Sequence, residues 1–242
     1  MLQAPILRFD TLESTNNYAA KIIDADKAQA GLTIVAKEQS AGRGQRGNSW
    51  KAAHNQSVLM SIVLKPRSPI DEQFVFLSTV SVAVAQAIQS LDQGLRVRIK
   101  FPNDIIVNDK KAAGILIENA LRGNHWTHAI IGLGINVLQS NFEDLPQATS
   151  LLMESGKAFS IDELMLLTRT AIVERLVGEP TEDYVEEYNR LLFKNNERQS
   201  IRIEGSLIDV IILGVSRQGF LQVQLPNGTV QKLAHGSFSW IW

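Results

Sequence analysis

The chain changes character near Lys194-Asn195-Asn196-Glu197. Before that point, apolar residues recur at helical and at strand spacing in turn. After it only short strand-like runs remain, at residues 200–203, 207–215, 219–225 and 230–233, with Pro226-Asn227-Gly228 as a hairpin turn. Such a switch restricts the architecture to a larger unit of helices and strands, residues 1–195, followed by a small β-barrel, residues 196–242. The tail Ser237-Phe238-Ser239-Trp240-Ile241-Trp242 is apolar and is expected to pack back on the protein.

Within the larger unit, a short opening strand at 6–9 precedes a helix through Tyr18, Ala19, Ile22 and Ile23, with Ser14 or Thr15 placed to cap it. A buried strand at 32–36 leads to Gln39 and then to Gly42-Arg43-Gly44-Gln45-Arg46-Gly47-Asn48-Ser49-Trp50. Glycine lets backbone come close to a ligand, and arginine offers permanently charged planar donors that match phosphate or carboxylate oxygens. The loop reads as a cradle for an anion with an aromatic wall. It is not a P-loop, because Asn48-Ser49 stands where Lys-Ser/Thr is required and a β run at 58–64 follows instead of a helix.

Residues 74–91 form a core helix, with Gly94 placed to end it. A strand at 95–99 then leads into Lys100-Phe101-Pro102-Asn103-Asp104 and, after the turn Asn108-Asp109, into Lys111-Ala112-Ala113-Gly114-Ile115-Leu116. An amide, a carboxylate and two ammonium groups at strand ends can hold a metal–phosphate or a reacting carboxylate; solvated strand-end charges are the plainer alternative. Gly132 and Gly134 lie in a strand whose missing side chains let a flat ligand pass close to the backbone. His125 and His128, three apart on that strand, point to opposite faces and carry no chemistry. Ser160 with Glu163 opens one further helix, and Thr181-Glu182-Asp183 another.

Composition narrows the function classes. With 24 basic and 25 acidic residues the chain has no general affinity for nucleic acid or a membrane surface, so charge-driven binding is local. The absence of cysteine excludes disulfides, thiolate metal sites and cysteine nucleophiles. The apolar stretch 75–88 is too short to span a bilayer, and no basic segment and long apolar run open the chain, so a cytoplasmic location is expected.

Five ordered segments together resemble the biotin–protein ligases: Ser14-Thr15-Asn16; Gln39 with residues 42–47 and Trp50; Lys100-Phe101-Pro102-Asn103-Asp104; Lys111-Ala112-Ala113-Gly114-Ile115-Leu116; and Gly132-Leu133-Gly134-Ile135-Asn136. The resemblance implies an α+β catalytic domain, a mixed sheet flanked by helices, with a C-terminal barrel of the Src-homology-3 type. It implies ATP and biotin as substrates with Mg²⁺, a biotinyl-5′-adenylate intermediate, and transfer to a lysine of a biotin carboxyl carrier domain. Lys111, Arg43, Arg46, Asn103 and Asp104 are then the catalytic group. Lys111 is preferred to Lys110 because the family's lysine sits three residues before the glycine. Asp104 and Asn103 lie near Mg²⁺ or align the incoming lysine. Biotin falls to Ser14, Thr15, Asn16, Gln39, Gly42, Arg43, Lys111, Gly114 and Leu116. ATP falls to Arg43, Gly44, Arg46, Gly47, Trp50, Lys100, Asn103 and Asn136, the last facing adenine.

Two departures stand out. Gln45 occupies a position where many relatives carry arginine, which implies looser retention of the adenylate unless Lys51 or Lys100 compensates, and Phe101 replaces a tryptophan. Only a short stretch precedes Ser14, so no winged DNA-binding domain and no repressor role are expected. Monomer and homodimer both remain open. A lipoate ligase or octanoyltransferase, which shares the fold, and a non-catalytic nucleotide-binding module are the competing readings.

Overall fold

The computed structural model describes residues 1–66, 69–123, 125–142, 145–178 and 183–241. Seven strands, β1 (Ile6–Leu12), β2 (Thr33–Gln39), β3 (Ser57–Leu64), β4 (Val97–Lys100), β5 (Asp104–Val107), β6 (Lys110–Arg122) and β7 (His125–Asn136), form one sheet. Their order is β1-β2-β3-β7-β6-β5-β4. The β1–β2 pair is parallel and the others are antiparallel, so the sheet is mixed. A parallel pair needs a crossover, which α1 (Thr15–Asp24) supplies.

One face of the sheet is covered by α2 (Gln73–Leu91), α4 (Ile161–Val177) and α5 (Tyr184–Leu191), over a core that includes Met60, Ile62, Val80, Val84, Ile88, Ile131 and Ile172. The segment Ile70–Leu91 is long and apolar enough to cross a membrane by length and composition, but 67% of its apolar window lies inside the protein. Burial, and not the shortness expected from the sequence, makes it a core helix. The other face carries α1, whose Ala19 packs on Ile34, Val63 and Ile130, and leaves the rest of that face open for a site. A short helix, α3 (Leu151–Ser155), had no counterpart in the sequence reading.

A second, all-antiparallel sheet follows: β8 (Arg198–Ile203), β9 (Ser206–Val215), β10 (Leu221–Gln224), β11 (Val230–Leu233) and β12 (Phe238–Trp240), in the order β11-β10-β9-β8-β12. The apolar tail therefore does more than pack: it adds a strand against β8. Trp242 lies outside the described residues.

Local signals explain most element ends. Ser14, and not Thr15, caps α1 by accepting from Asn17 N at 3.4 Å. Ser160 and Asp183 cap α4 and α5, while Thr181 and Glu182 lie outside the described residues. Asn108 and Asp109, with φ of 46° and 72°, make the tight β5–β6 turn. The expected role of Gly94 fails: α2 ends at extended Asp92, whose carboxylate accepts from Gly94 N at 2.9 Å, and no left-handed glycine is used.

The bend between β4 and β5 carries Asn103 and Asp104, and α5 fixes it from below. Tyr188, fully buried, donates from its hydroxyl to Pro102 O at 3.0 Å. Tyr188→Phe leaves that buried carbonyl unpaired and should lower unfolding stability by about 1–3 kcal/mol. Urea denaturation would show this as a lower midpoint at unchanged slope; an unchanged midpoint would mean the hydroxyl does not anchor the bend.

Candidate active site

The site lies on the open face of the main sheet, and strand alternation builds it. Gly132, Gly134 and Asn136 fall on one face of β7, and register places Ser61, Leu59 and Ser57 of β3 beside them. On β6, Gly114 pairs with Gly134 and Leu116 with Gly132, and Glu118 continues the same face. The three glycines leave a trough where side chains would otherwise stand. A Cβ on Gly132 would lie 2.4 Å from Asn16 Oδ1, and one on Gly134 would lie 2.4 Å from the Trp50 indole.

Lys111 reaches this face because the β5–β6 ladder is bulged. Three residues apart on a regular strand, Lys111 and Gly114 would point to opposite sides. The register shift at Ile105/Ile106 removes that alternation, and Lys111 Nζ lies 3.6 Å from where a Gly114 Cβ would be. Backbone bonds Lys111 N→Gln147 O (2.7 Å) and Thr149 N→Lys111 O (2.9 Å) hold the strand there. Lys110 is exposed and does not line the site, which separates the two lysines. A second bulge, at Ala120/Leu121, falls across from His125 and His128, so simple alternation does not orient them; neither histidine lines the cavity.

The glycine–arginine segment is a small hairpin. Trp50 N donates to Gly42 O at 2.9 Å, Gly44 N to Asn48 O at 2.7 Å, and Arg43 bridges Ser49. A 3₁₀ turn, Gln45–Gly47, forms its tip. Gly42 and Gly47, both expected to contact ligand, are not among the residues lining the cavity. Gly42 sits at the hairpin base, where a Cβ would meet Trp50 O at 2.3 Å, and Gly47 at the tip with φ 80°. Trp50 folds back into the trough, its ring centroid 5.7 Å from Lys111 Nζ and its Nε1 buried without a partner.

The cavity these parts enclose has a volume of about 230 Å³. It brings together Ser14, Thr15, Asn16, Gln39, Arg43, Gly44, Arg46, Trp50, Lys100, Asn103, Asp104, Lys111, Gly114 and Leu116, all expected from the sequence. Asn136 opens instead on an adjoining space of about 760 Å³ that shares Trp50, Lys100, Asp104 and Lys111 with the first. Its Nδ2 donates to Thr149 O at 3.0 Å, and its buried Oδ1 has no partner among the described residues.

Two chemically distinct ends result. At the α1 end, Gln39 Oε1 accepts from Thr15 N (2.7 Å) and Thr15 Oγ1 (3.1 Å), which turns the amide nitrogen of Gln39 away from them. Asn16 is bound on both sides, Ser61 Oγ donating to its Oδ1 at 2.5 Å and its Nδ2 donating to Glu118 Oε2 at 2.8 Å. Arg43 joins this end through Glu118 Oε1 at 2.8 Å and Asn17 Oδ1 at 2.8 Å, so its charge is already paired.

The β4–β5 end is cationic. Asp104 receives Lys111 at 2.6 Å and Lys100 at 3.9 Å. Asn103 Nδ2 donates to Ile115 O at 2.5 Å. Lys100 is buried against the Trp240 ring, 5.4 Å from its centroid. Burial, aided by the Lys111 charge and opposed by Asp104, lowers its pKa to about 8. Arg46 has no carboxylate partner among the described residues; its guanidinium lies over Gly236, where a Cβ would come within 2.0–2.2 Å of three of its atoms.

Several lining residues escaped the sequence reading. Glu118 and Ser61, which hold Asn16 from behind without lining the cavity, were recoverable, since they continue the alternation that carries Gly114 and Gly132. His235, Gly236, Phe238 and Trp240 were not, because only packing of the second sheet brings them to the cavity. Gln45 also lines it, with its Oε1 buried and unpartnered.

A family model described as the biotin/lipoate A/B protein ligase family matches residues 8–136. The chain belongs to this family. It is 35% identical over 157 residues to the bifunctional ligase/repressor BirA of Bacillus subtilis, a match covering 63% of this chain and 47% of that one. Human biotin–protein ligase is 27% identical over 220 residues, covering 84% of this chain and 29% of its own length. The chain thus spans about half the length, or less, of these relatives. Among solved structures, the biotin protein ligase of Aquifex aeolicus in complex with biotin and ATP superposes with a TM-score of 0.80 at 23% identity, over 97% of each chain. The mixed α+β architecture is the fold of that ligase, and the trough, the hairpin and the Lys111 bulge all fall within the span matched by the biotin/lipoate ligase family.

Filling the trough tests its construction. Gly134→Ala should expel the indole, giving a red shift in the Trp50 emission, read as the difference from a Trp50→Phe counterpart. An unshifted signal would show that the backbone, and not the tryptophan, had yielded.

Proposed function

We infer that the protein is an ATP-dependent biotin–protein ligase, with residues 1–195 as its catalytic domain and residues 196–242 as a small barrel of the Src-homology-3 type. The observation that carries this reading is one connected space whose three parts suit the three parts of an acyl-adenylate. The Ser14–Thr15–Gln39 end offers hydrogen-bonding groups for a ureido ring. The Lys111–Lys100–Arg46 centre suits a carboxylate meeting a phosphate, and the unpartnered Asn136 Oδ1 suits an exocyclic amine of adenine. Relatives named biotin–[acetyl-CoA-carboxylase] ligase support a carboxylase carrier domain as acceptor.

In the first step a biotin carboxylate oxygen attacks the α-phosphorus of ATP and pyrophosphate leaves. Two anions must approach, and fixed cations in a partly desolvated cavity offset their repulsion. Lys111 can turn from Asp104 toward the carboxylate and α-phosphate, and Arg46, uncompensated by any carboxylate among the described residues, can take phosphate oxygens. Arg43, held by Glu118, serves the biotin end and orders the hairpin. Burial of Asn16 and Thr15 in a satisfied network fixes the donors and acceptors around them, so a ligand lacking the matching groups leaves polar atoms unpaired.

Among the described residues no three His, Cys, Asp or Glu side chains gather as a metal cage. Mg²⁺ is usually held by one or two protein oxygens and by substrate phosphates, and Asp104 with Asn103 Oδ1 fits that donor set. There the ion would screen phosphate charge.

Biotin-dependent ATP–pyrophosphate exchange tests the reading. Exchange is expected in the unaltered protein and should fall by about 10²-fold or more in Lys111→Ala. Exchange supported by lipoate and not by biotin would move the protein to the other branch of the family. No exchange with either would leave a non-catalytic binding module.

Lys100 makes nucleotide binding sensitive to pH. Its ammonium form predominates below pH 8 and is lost above it, so ATP affinity should weaken by roughly tenfold between pH 7 and pH 9.5, the worth of one charge-assisted contact. Calorimetric titration across that range checks this. Lys100→Arg, whose charge does not titrate, should flatten the profile.

A further inference from the structure

Transfer from an acyl-adenylate to a lysine requires an uncharged amine, yet a lysine ε-amine is protonated at neutral pH. Some group must take that proton where the amine meets the acyl carbon. The titratable side chains lining the cavity are Arg43, Arg46, Lys100, Asp104, Lys111 and His235. The arginines stay protonated, Lys111 is bound as a cation to Asp104, and Lys100 is an ammonium below pH 8. Asp104 is held by both lysines and suits Mg²⁺ besides.

His235 differs from all of these. It precedes Gly236, on whose backbone Arg46 rests, and its ring meets Phe101 edge-on, centroids 6.2 Å apart at 83°. It is exposed at the rim, so a proton taken there can pass to water. Phe101, stacked on Phe238 at 6.2 Å, and Trp240 over Lys100 continue the same wall inward as an apolar surface suited to a lysine stem.

We propose that His235 is the proton acceptor for the incoming lysine in the transfer step, at the mouth of an aromatic channel formed by Phe101, Phe238 and Trp240. The proposal rests on the ligase reading above. The ε-ammonium gives one proton to an imidazole nitrogen, and the freed lone pair attacks the acyl carbon. The bond from acyl carbon to phosphate oxygen breaks with its electron pair on AMP, and the second amine proton leaves with AMP or to water. The groups facing the imidazole favour this. Burial of part of the ring and the Arg46 charge hold it below the ordinary histidine range, against Asp104, so it is unprotonated at neutral pH and ready to accept.

The test separates the two half-reactions. Exchange of pyrophosphate, and single-turnover transfer from preformed adenylate, are measured for the unaltered protein, His235→Asn and His235→Gln between pH 5.5 and 9. Transfer is followed to a carrier-domain lysine and, separately, to hydroxylamine, an amine already uncharged at neutral pH. The ratio of carrier transfer to exchange should fall by about 10²-fold in both variants, the scale of general-base catalysis. In the variants transfer should instead climb steadily with pH across this range, following the fraction of free amine, and hydroxylamine transfer should keep pace with exchange. Equal losses in carrier and hydroxylamine transfer, or no loss in either, would overturn the proposal. Absence of exchange in the unaltered protein would instead remove the ligase reading on which it stands.

Discussion

The missing side chains of Gly114, Gly132 and Gly134 are the constraint on which the rest of the site depends. The opposite face of the same strands is filled by Met60, Ile62, Ile115, Ile131 and Ile135, as a sheet packed on helices must be. On the open face the glycines leave a trough one side chain deep. Asn16 enters it over Gly132 and Trp50 over Gly134, and each fits only because no Cβ stands there. A sheet face that is otherwise an ordinary packing surface thereby becomes a ligand surface, without interruption of its backbone hydrogen bonds.

Charge is then distributed around that trough, and the near-neutral chain makes the local imbalance more telling. Lys100 and Lys111 share one carboxylate, Asp104, and Arg46 lines the same cavity, while Arg43 is matched by Glu118. Ammonium groups gathered on a shared carboxylate and partly removed from water cost free energy that a bound phosphate or carboxylate would offset. The depressed pKa of Lys100 comes first from its burial, with the Lys111 charge adding to it and Asp104 opposing it. Away from the site, Arg175 and Glu187 make a one-to-one pair at 2.6 Å.

Much of this was legible in the sequence, for physical reasons that differ between residues. The strands and helices carry periodic patterns dictated by burial, and the glycines and arginines of 42–47 have few bland explanations in a chain of ordinary composition. Glu118 could have been read by continuing the alternation from Gly114. The position of Lys111 could not be derived from spacing alone, because a β-bulge reverses the alternation and no local residue announces it; only the family resemblance selected it over Lys110. Asn16 was expected at the biotin end, and nothing in its sequence neighbourhood showed that Ser61 and Glu118 would bind its two amide ends. The wall supplied by His235, Phe238 and Trp240 lay beyond reach, since it depends on how the second sheet seats on the first.

That seating has a consequence for the order of the chemistry. The hairpin of residues 42–50 is held at one end by Arg43 on Glu118 and Asn17, and at the other by Arg46 on Gly236. One fixed point thus lies on β6 and α1 and the other on the turn between β11 and β12, with the cavity between them. An activated acyl group is vulnerable to water, so a wall closed over the first step protects the intermediate. On the proposed ligase reading, a second step needs entry for a lysine stem, and the rim formed by the second sheet is where apolar and titratable groups meet: Phe101 and Phe238 stack there, with the His235 ring edge-on to Phe101. On that reading the main sheet supplies the surface for acid activation, and the small sheet the side from which an amine approaches it.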